Sequence, residues 1–140
     1  MCSYFETLHI QYSPEPSKRG IVYSPIAHVY LQSKDSTWYL FYPYVDSGAD
    51  TSLVPKSDAS LLKLSLYEGN YSPIIGIGKV MMPAYIHNVK MRIGETTIKA
   101  NIAFADSDEV PRLLGRTDIF KHFKITFDEA NLQTILETNK

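Results

Sequence analysis

A chain of 140 residues with a formal net charge of -1 and 44% hydrophobic residues is long enough to bury the core of one domain unaided, and it carries no charge footprint for a nucleic acid or an anionic membrane. Its sole cysteine, Cys2, excludes an intramolecular disulfide, and the scattered His9, His28, His87 and His122 form no ligand-spaced cluster, so neither metal nor cofactor is expected. No apolar run nears the roughly 20 residues of a membrane span, and Met1 to Gln11 lacks the basic-then-apolar order of a signal peptide, which makes the cytoplasm the expected location.

Residues Ser13 to Ser24, with Pro14, Pro16 and Gly20, read as a loop or extended arm. Ile26 to Leu31 is a short strand with Ala27, Val29 and Leu31 on one face. After the polar turn Ser33 to Ser36, Trp38 to Val45 is a second, aromatic-rich strand, and Pro43 places that part near an edge or bulge. Thr51 to Val54 resumes as strand. A short helix runs from Pro55 to about Lys63, with Ser57 as its N-cap. Tyr71 to Lys79 reads as a hairpin whose tip holds Gly76 and Gly78, and Val80 to Val89 continues as strand. Val89 to Ile93 and Thr97 to Ala105 alternate apolar and polar residues on either side of a turn at Gly94. Leu113-Leu114-Gly115-Arg116 is a short apolar run closed by a glycine, followed by a helical turn from Thr117 to His122. Phe123 to Phe127 and Leu132 to Leu136 form a last hairpin, and Glu137 to Lys140 a frayed tail. Many short strands, Gly/Pro turns and one or two short helices, without strand–helix alternation, specify an all-β fold, closed or sandwiched. The chain divides into an arm (1–25), a core (26–136) and a tail (137–140) of one domain.

The chemically informative stretch is Asp46-Ser47-Gly48-Ala49-Asp50-Thr51. The same residues make ordinary β-turns. Here, however, an apolar run ends directly on the Asp46 carboxylate and then resumes as Thr51 to Val54. A lone carboxylate at the end of a core strand is costly unless it is paired or protonated.

This run resembles the catalytic signature of the retroviral-type (retropepsin-like) aspartic proteases. Ile75-Gly76-Ile77-Gly78 resembles the family's glycine-rich flap, and Leu113-Leu114-Gly115-Arg116 resembles the segment before its C-terminal helix. The three occur in the family's order and span about Ile26 to Leu136. The resemblance implies a closed acid-protease barrel with a flap hairpin. It also implies an aspartic endopeptidase that cleaves extended peptides with an activated water.

That chemistry needs two carboxylates sharing a proton. The chain carries one such signature. Asp50 sits in the same loop, and Asp118-Ile119-Phe120 does not fit the motif. The resemblance therefore implies a homodimer in which Asp46 meets its symmetry mate. It casts Ser47, where the family more often has threonine, as a hydrogen-bonding loop residue across the dimer. It casts Gly48 as the point of closest substrate approach, with backbone dihedrals closed to other residues. Ala49 and Asp50 line the site, and Arg116 either braces the loop through Asp50 or is a surface charge capping a turn. Ile75, Gly76, Ile77 and Gly78 close over the peptide, and Lys79 stands where the family usually has another glycine. The termini differ from the retroviral form, so a dimer sheet built on Leu132 to Leu136 is expected. The alternative is a catalytically weak or inactive dimer of the same fold that binds peptides or supports assembly.

Overall fold

In the computed structural model, residues 5–138 are described; Cys2 and the last two residues of the expected tail lie outside them. Three strands, β1 (Thr7–Gln11), β2 (Ser13–Ser17) and β3 (Gly20–Ser24), occupy the segment expected to be an N-terminal arm, a loop or extended from Ser13 to Ser24. Pro14 and Pro16 do not prevent this, because β2 has a single neighbour, β3, and proline is compatible with a strand that is not paired on both sides. Gly20, at φ +99°, closes the turn between them.

The remaining elements are β4 (Val29–Gln32), β5 (Trp38–Phe41), β6 (Tyr44–Val45), β7 (Ser52–Val54), α1 (Lys56–Leu61), β8 (Asn70–Tyr71), β9 (Ile74–Ile75) and β10 (Met81–Met82). They are followed by β11 (Ala84–Ile93), β12 (Thr96–Ala105), β13 (Leu113–Leu114), β14 (Phe123–Asp128) and β15 (Gln133–Thr138). The single strand expected from Trp38 to Val45 is interrupted at Tyr42 and Pro43. Pro83 likewise divides the strand expected from Val80 to Val89 into β10 and the start of β11.

The main sheet runs β5-β4-β11-β12-β7-β13-β6, with β8 added beside β11. It curls until its two ends meet at one bridge, Ile26 to Tyr44. The Ala27 N–H donates to the Pro43 carbonyl and the Val45 N–H to the Pro25 carbonyl, both at 2.9 Å. Two strand pairs in this otherwise antiparallel sheet are parallel: β6 with β13, and β7 with β12. The core inside the curl is built from the expected inward residues, including Ala27, Val29 and Leu31, together with Met91, Ile93, Ile102, Phe104, Leu114 and Ile119. A second, smaller cluster of Leu53, Ala84, Ala103 and Ala105 lies under Ile74 and Met82 at the root of the β9–β10 hairpin.

The terminal sheet has the order β1-β15-β14. Two expectations are corrected here. Glu137 and Thr138 do not fray: the Thr138 N–H donates to the Glu6 carbonyl at 3.0 Å, and the Glu6 N–H to Thr138 Oγ1 at 2.8 Å. Residues 132–136 cannot offer a sheet edge to a second molecule, because β15 is paired along both sides. The Glu6 carboxylate also accepts from the Glu95 N–H and from Thr96 Oγ1, which ties the terminal sheet to the β11–β12 turn.

Helix α1 has Pro55, not Ser57, at its N-cap position. The Ser57 N–H is satisfied by the Asp108 carboxylate at 2.7 Å instead. Inside the helix, Asp58 is 2% exposed and receives two hydrogen bonds from Arg112, Nε at 2.7 Å and Nη2 at 2.8 Å. This bidentate pair fixes the residue that precedes β13. Arg112→Ala leaves a buried carboxylate with no counter-charge. We expect it to cost about 3 kcal/mol or more, read as a fall in the urea midpoint with an unchanged slope.

Candidate active site

The loop between β6 and β7 carries the Asp-Ser-Gly-Ala-Asp-Thr run. Strand β13 lies between those two strands, parallel to β6 and antiparallel to β7, so both ends of the loop are tethered to one strand. The Asp46 N–H donates to the Leu114 carbonyl at 3.1 Å, and the Ala49 N–H to the Asp46 carbonyl at 3.2 Å. On the far side, the Arg116 and Thr117 N–H groups donate to the Ala49 and Asp50 carbonyls, both at 2.9 Å. Thr117 Oγ1 donates to the Asp50 carbonyl as well, at 2.6 Å. The loop is thus stitched to the segment Leu114–Thr117 almost entirely through main-chain bonds.

Asp46 is half-buried, and its Oδ1 accepts from the Gly48 N–H at 2.9 Å. No basic side chain pairs with it among the described residues. The φ of Gly48 is not positive, contrary to expectation; a Cβ there would stand 3.3 Å from Asp46 Oδ1, a tight contact that would press on the carboxylate. Ser47 is exposed, and its hydroxyl makes no hydrogen bond among the described residues. Arg116 Nη2 donates to Asp50 Oδ1, so the guanidinium lies on the loop carboxylate. Both side chains are largely exposed, at 55% and 77%, and such a pair adds about 0–1 kcal/mol of stability. Its effect is on orientation.

Across from the loop, β9 and β10 pair antiparallel, Ile75 with Met81 and Ile74 with Met82. The tip from Gly76 to Val80 is closed by Gly76 N–H to the Val80 carbonyl at 2.9 Å. Gly78 and Lys79 both have positive φ, at 78° and 60°. Glycine adopts that conformation freely; for Lys79 it costs about 1–2 kcal/mol. Ile75, Ile77, Val80 and Met81 project into solvent, Ile77 completely. An open cleft of about 440 Å³ separates this hairpin from the loop. Gly48, Ala49, Asp50 and Thr51 line one side, Ser72 to Ile75 the other, and Leu53 and Leu113 add apolar surface.

Several supporting residues escaped the sequence reading. The Ser52 side chain is buried, and its Oγ accepts the Gly115 N–H at 2.9 Å. Gly115 has no room for a side chain, since a Cβ would fall 2.5 Å from the Thr51 carbonyl carbon. Glu15 on β2 accepts from the Tyr44 hydroxyl and, at 2.7 Å, from Ser24 Oγ. These two donors, Tyr44 first, hold the Glu15 carboxyl below its usual range. Among the described residues, no three His, Cys, Asp or Glu side chains group to hold a metal, and no helix is long and apolar enough to cross a membrane.

No family model matches the chain, and no curated protein sequence matches it. Solved structures do. A retropepsin-like aspartic protease from Rickettsia conorii aligns with 99% of this chain and 95% of its own, at 19% identity and a TM-score of 0.64. EIAV protease, complexed with the inhibitor HBY-793, aligns with 66% of this chain and 82% of its own, at 24% identity and a TM-score of 0.50. The fold is therefore that of the retropepsin-like aspartic proteases.

Two outcomes test the loop's support. Ser52→Ala leaves the buried Gly115 N–H without an acceptor and is expected to cost about 1–3 kcal/mol. Gly115→Ala forces the backbone at Thr51 to move and is expected to cost about 2 kcal/mol or more, both read by chemical denaturation. A separate pH series concerns Glu15. A carboxyl with a depressed pKa contributes its stability above the unfolded value and loses it as pH falls through the folded one. Hydrogen-exchange protection of β2 and β3 is therefore expected to survive from neutral pH through the ordinary glutamate range and fade below it, and to weaken at neutral pH in Glu15→Gln.

Proposed function

We propose that this protein is an aspartic endopeptidase that works as a homodimer, each copy supplying one Asp46. The observation that carries this is Asp46 itself. It is a half-buried carboxylate in a loop tethered on both sides, and among the described residues it has only the Gly48 N–H as partner. The retropepsin-like fold gives that loop its setting.

Two Asp46 carboxylates across a two-fold axis cannot both ionise at contact distance, so the pair holds one proton. The ionised member takes a proton from a water molecule. The oxygen of that water attacks the scissile carbonyl carbon while the protonated member donates to the carbonyl oxygen. Collapse of the tetrahedral intermediate breaks the C–N bond; the carboxyl that took the water's proton passes it to the departing amine, and a hydroxyl of the intermediate returns a proton to the other carboxylate, so the pair again holds one. The products are a carboxylic acid and an amine, with no metal or cofactor involved. The substrate is an extended polypeptide lying in the cleft between the loop and the β9–β10 hairpin, where main-chain bonding suits a strand-like ligand. The exposed Ile75, Gly76, Ile77 and Gly78 close over it and exclude water. Ser47 is left to bond across the dimer, and Arg116 holds Asp50 at the cleft wall.

Asp46→Asn removes the proton-sharing pair and leaves the loop's main-chain bonds intact. We expect hydrolysis of unstructured peptides to fall by about a thousandfold or more, with the folded state and the dimer retained by circular dichroism and sedimentation. The wild-type rate should trace a bell against pH between acidic and neutral values, as a shared-proton pair requires. A wild-type protein inert across that range leaves the peptide-binding or assembly dimer as the reading, and an Asp46→Asn variant that cleaves at the wild-type rate removes Asp46 from the chemistry.

A further inference from the structure

The geometry points to a binding surface for an acidic stretch of polypeptide on the outer face of β11 and β12, within reach of an extended chain that leaves the cleft. The inference rests on the endopeptidase reading and names its substrate class: unstructured chains that carry glutamate or aspartate close to the bond cleaved.

Strands β11 and β12 pair along their whole length, so a period of two divides each into two faces. Val89, Met91, Ile93, Ile98, Ala100 and Ile102 face the core. The opposite face changes character along the strands. At one end Ala84, Ala103 and Ala105 form the floor beneath the β9–β10 hairpin, with Ile86 packed on them. Asn88 and Asn101 follow as a directly opposed pair, with Asn88 Nδ2 donating to Asn101 Oδ1 at 3.0 Å. Next stand Lys90 and Lys99, again directly opposed and both exposed. Arg92 comes last, its guanidinium 4.8 Å from the centre of the Tyr30 ring and 5.0 Å from that of Trp38.

Two like charges facing each other across an antiparallel pair oppose the sheet that holds them. Lys90, Arg92 and Lys99 make no ion pair among the described residues. Two acids beside this face are engaged with main-chain donors instead. The Glu6 carboxylate accepts from the Glu95 N–H at the β11–β12 turn, and Asp118 from the Asn101 N–H at 2.8 Å. The rings of Tyr30 and Trp38 orient the Arg92 guanidinium, and an oriented guanidinium without a carboxylate of its own is suited to receive one bidentately. Three cations held together without counter-charge fit an anionic partner.

Continuity with the cleft says which anion. An open pocket of about 340 Å³ is lined by Thr51, Asn70, Ile86, Asn101, Thr117 and Asp118. Thr51 also lines the cleft, so this pocket joins the loop 46–51 to the outer face at Ile86 and Asn101. From Asn101 to Lys99 is about 7 Å along the strand, which an extended peptide covers in about two residues. A polypeptide leaving the cleft past Thr51 is thereby led to the lysines. A nucleic acid has no such route to follow, and a formal net charge of -1 gives the chain no overall field to gather one.

The test compares versions of one peptide. Cleavage sites are first mapped by mass spectrometry on unstructured peptides. One cleaved sequence is then extended with three glutamates or, as the uncharged match, three glutamines, at varied spacing on either side of the bond. At the best spacing, kcat/KM for the glutamate version is expected to exceed that for the glutamine version about tenfold, carried by KM. The difference is expected to shrink in about 0.5 M NaCl. In Lys90→Gln/Lys99→Gln the ratio is expected to approach one, and in Lys90→Glu/Lys99→Glu a version with three lysines is expected to become the preferred substrate. Glutamine removes the like-charge repulsion, so the first variant is expected to fold at least as stably as the wild type. A wild-type ratio of one at every spacing, or a wild-type ratio retained in both double variants, overturns the surface and leaves the endopeptidase reading intact.

A wild-type protein inert on every peptide removes the endopeptidase reading alone. The surface is then read by fluorescence anisotropy of the same glutamate and glutamine peptides carrying fluorescein. Tighter binding of the glutamate version, lost in Lys90→Gln/Lys99→Gln, supports it, and equal binding overturns it. A single-stranded RNA oligonucleotide that binds more tightly than the glutamate peptide and displaces it overturns the assignment to polypeptide.

Discussion

The geometry of the site depends on one close approach: strand β13 threads between β6 and β7, with Gly115 pressed against the backbone of Thr51. A parallel partner on one side and an antiparallel partner on the other mean that the loop 46–51 leaves and re-enters the sheet astride the same strand. Its freedom to move is therefore set by how firmly β13 is held. Before β13, Arg112 is clamped by the buried Asp58 of α1. After it, Arg116 and Thr117 catch the loop's own carbonyls. For the paired Asp46 carboxylates proposed above, a support of this kind matters, because an error of about 1 Å in such a constellation costs much of the rate.

Magnitudes rank these supports. The Asp50–Arg116 ion pair is the visible charged contact, yet both partners are exposed and water competes for them. The Ser52 hydroxyl and the Gly115 N–H are shielded, so neither finds water when the other is removed. The less conspicuous contact is the stronger restraint. A similar contrast separates the β9–β10 and β2–β3 hairpins. The β9–β10 hairpin stands on a floor of alanines and presents isoleucine, valine and methionine to solvent. The β2–β3 hairpin is fastened by Glu15 to Tyr44, two residues before Asp46.

Much of this was legible in the sequence. The loop, the glycine-tipped hairpin and the Leu-Leu-Gly-Arg run stand out together, through their resemblance to one family's segments in that family's order, and the last hairpin falls where its turn residues put it. Alternation found the inward faces at Ala27, Val29 and Leu31, because a period of two survives any tertiary arrangement. What stayed hidden is what depends on partners far along the chain. Two-residue strands such as β6 and β13 have no periodicity to read, and their parallel pairing joins residues 44–45 to 113–114. Asp58 and Arg112 are unremarkable in a linear string, and only burial makes them a pair. The first 25 residues read as an arm because Pro14 and Pro16 usually end strands; the pairing of β2 with β3 overrides that local signal. Strand β15 looked like a free edge because nothing in its own residues shows that β1 comes back to cover it.

The terminal sheet has a topological consequence of its own. Glu6 and Thr138 are hydrogen-bonded neighbours although nearly the whole chain lies between them. A short peptide linking that pair would close the backbone into a ring without disturbing the sheet. The ring could then be opened elsewhere, for instance at Lys18-Arg19 on the exposed β2–β3 turn. The pairing of β1 with β15 thus behaves as a seam: a chain permuted across it keeps the same strand neighbours to choose from, including those that hold the loop 46–51.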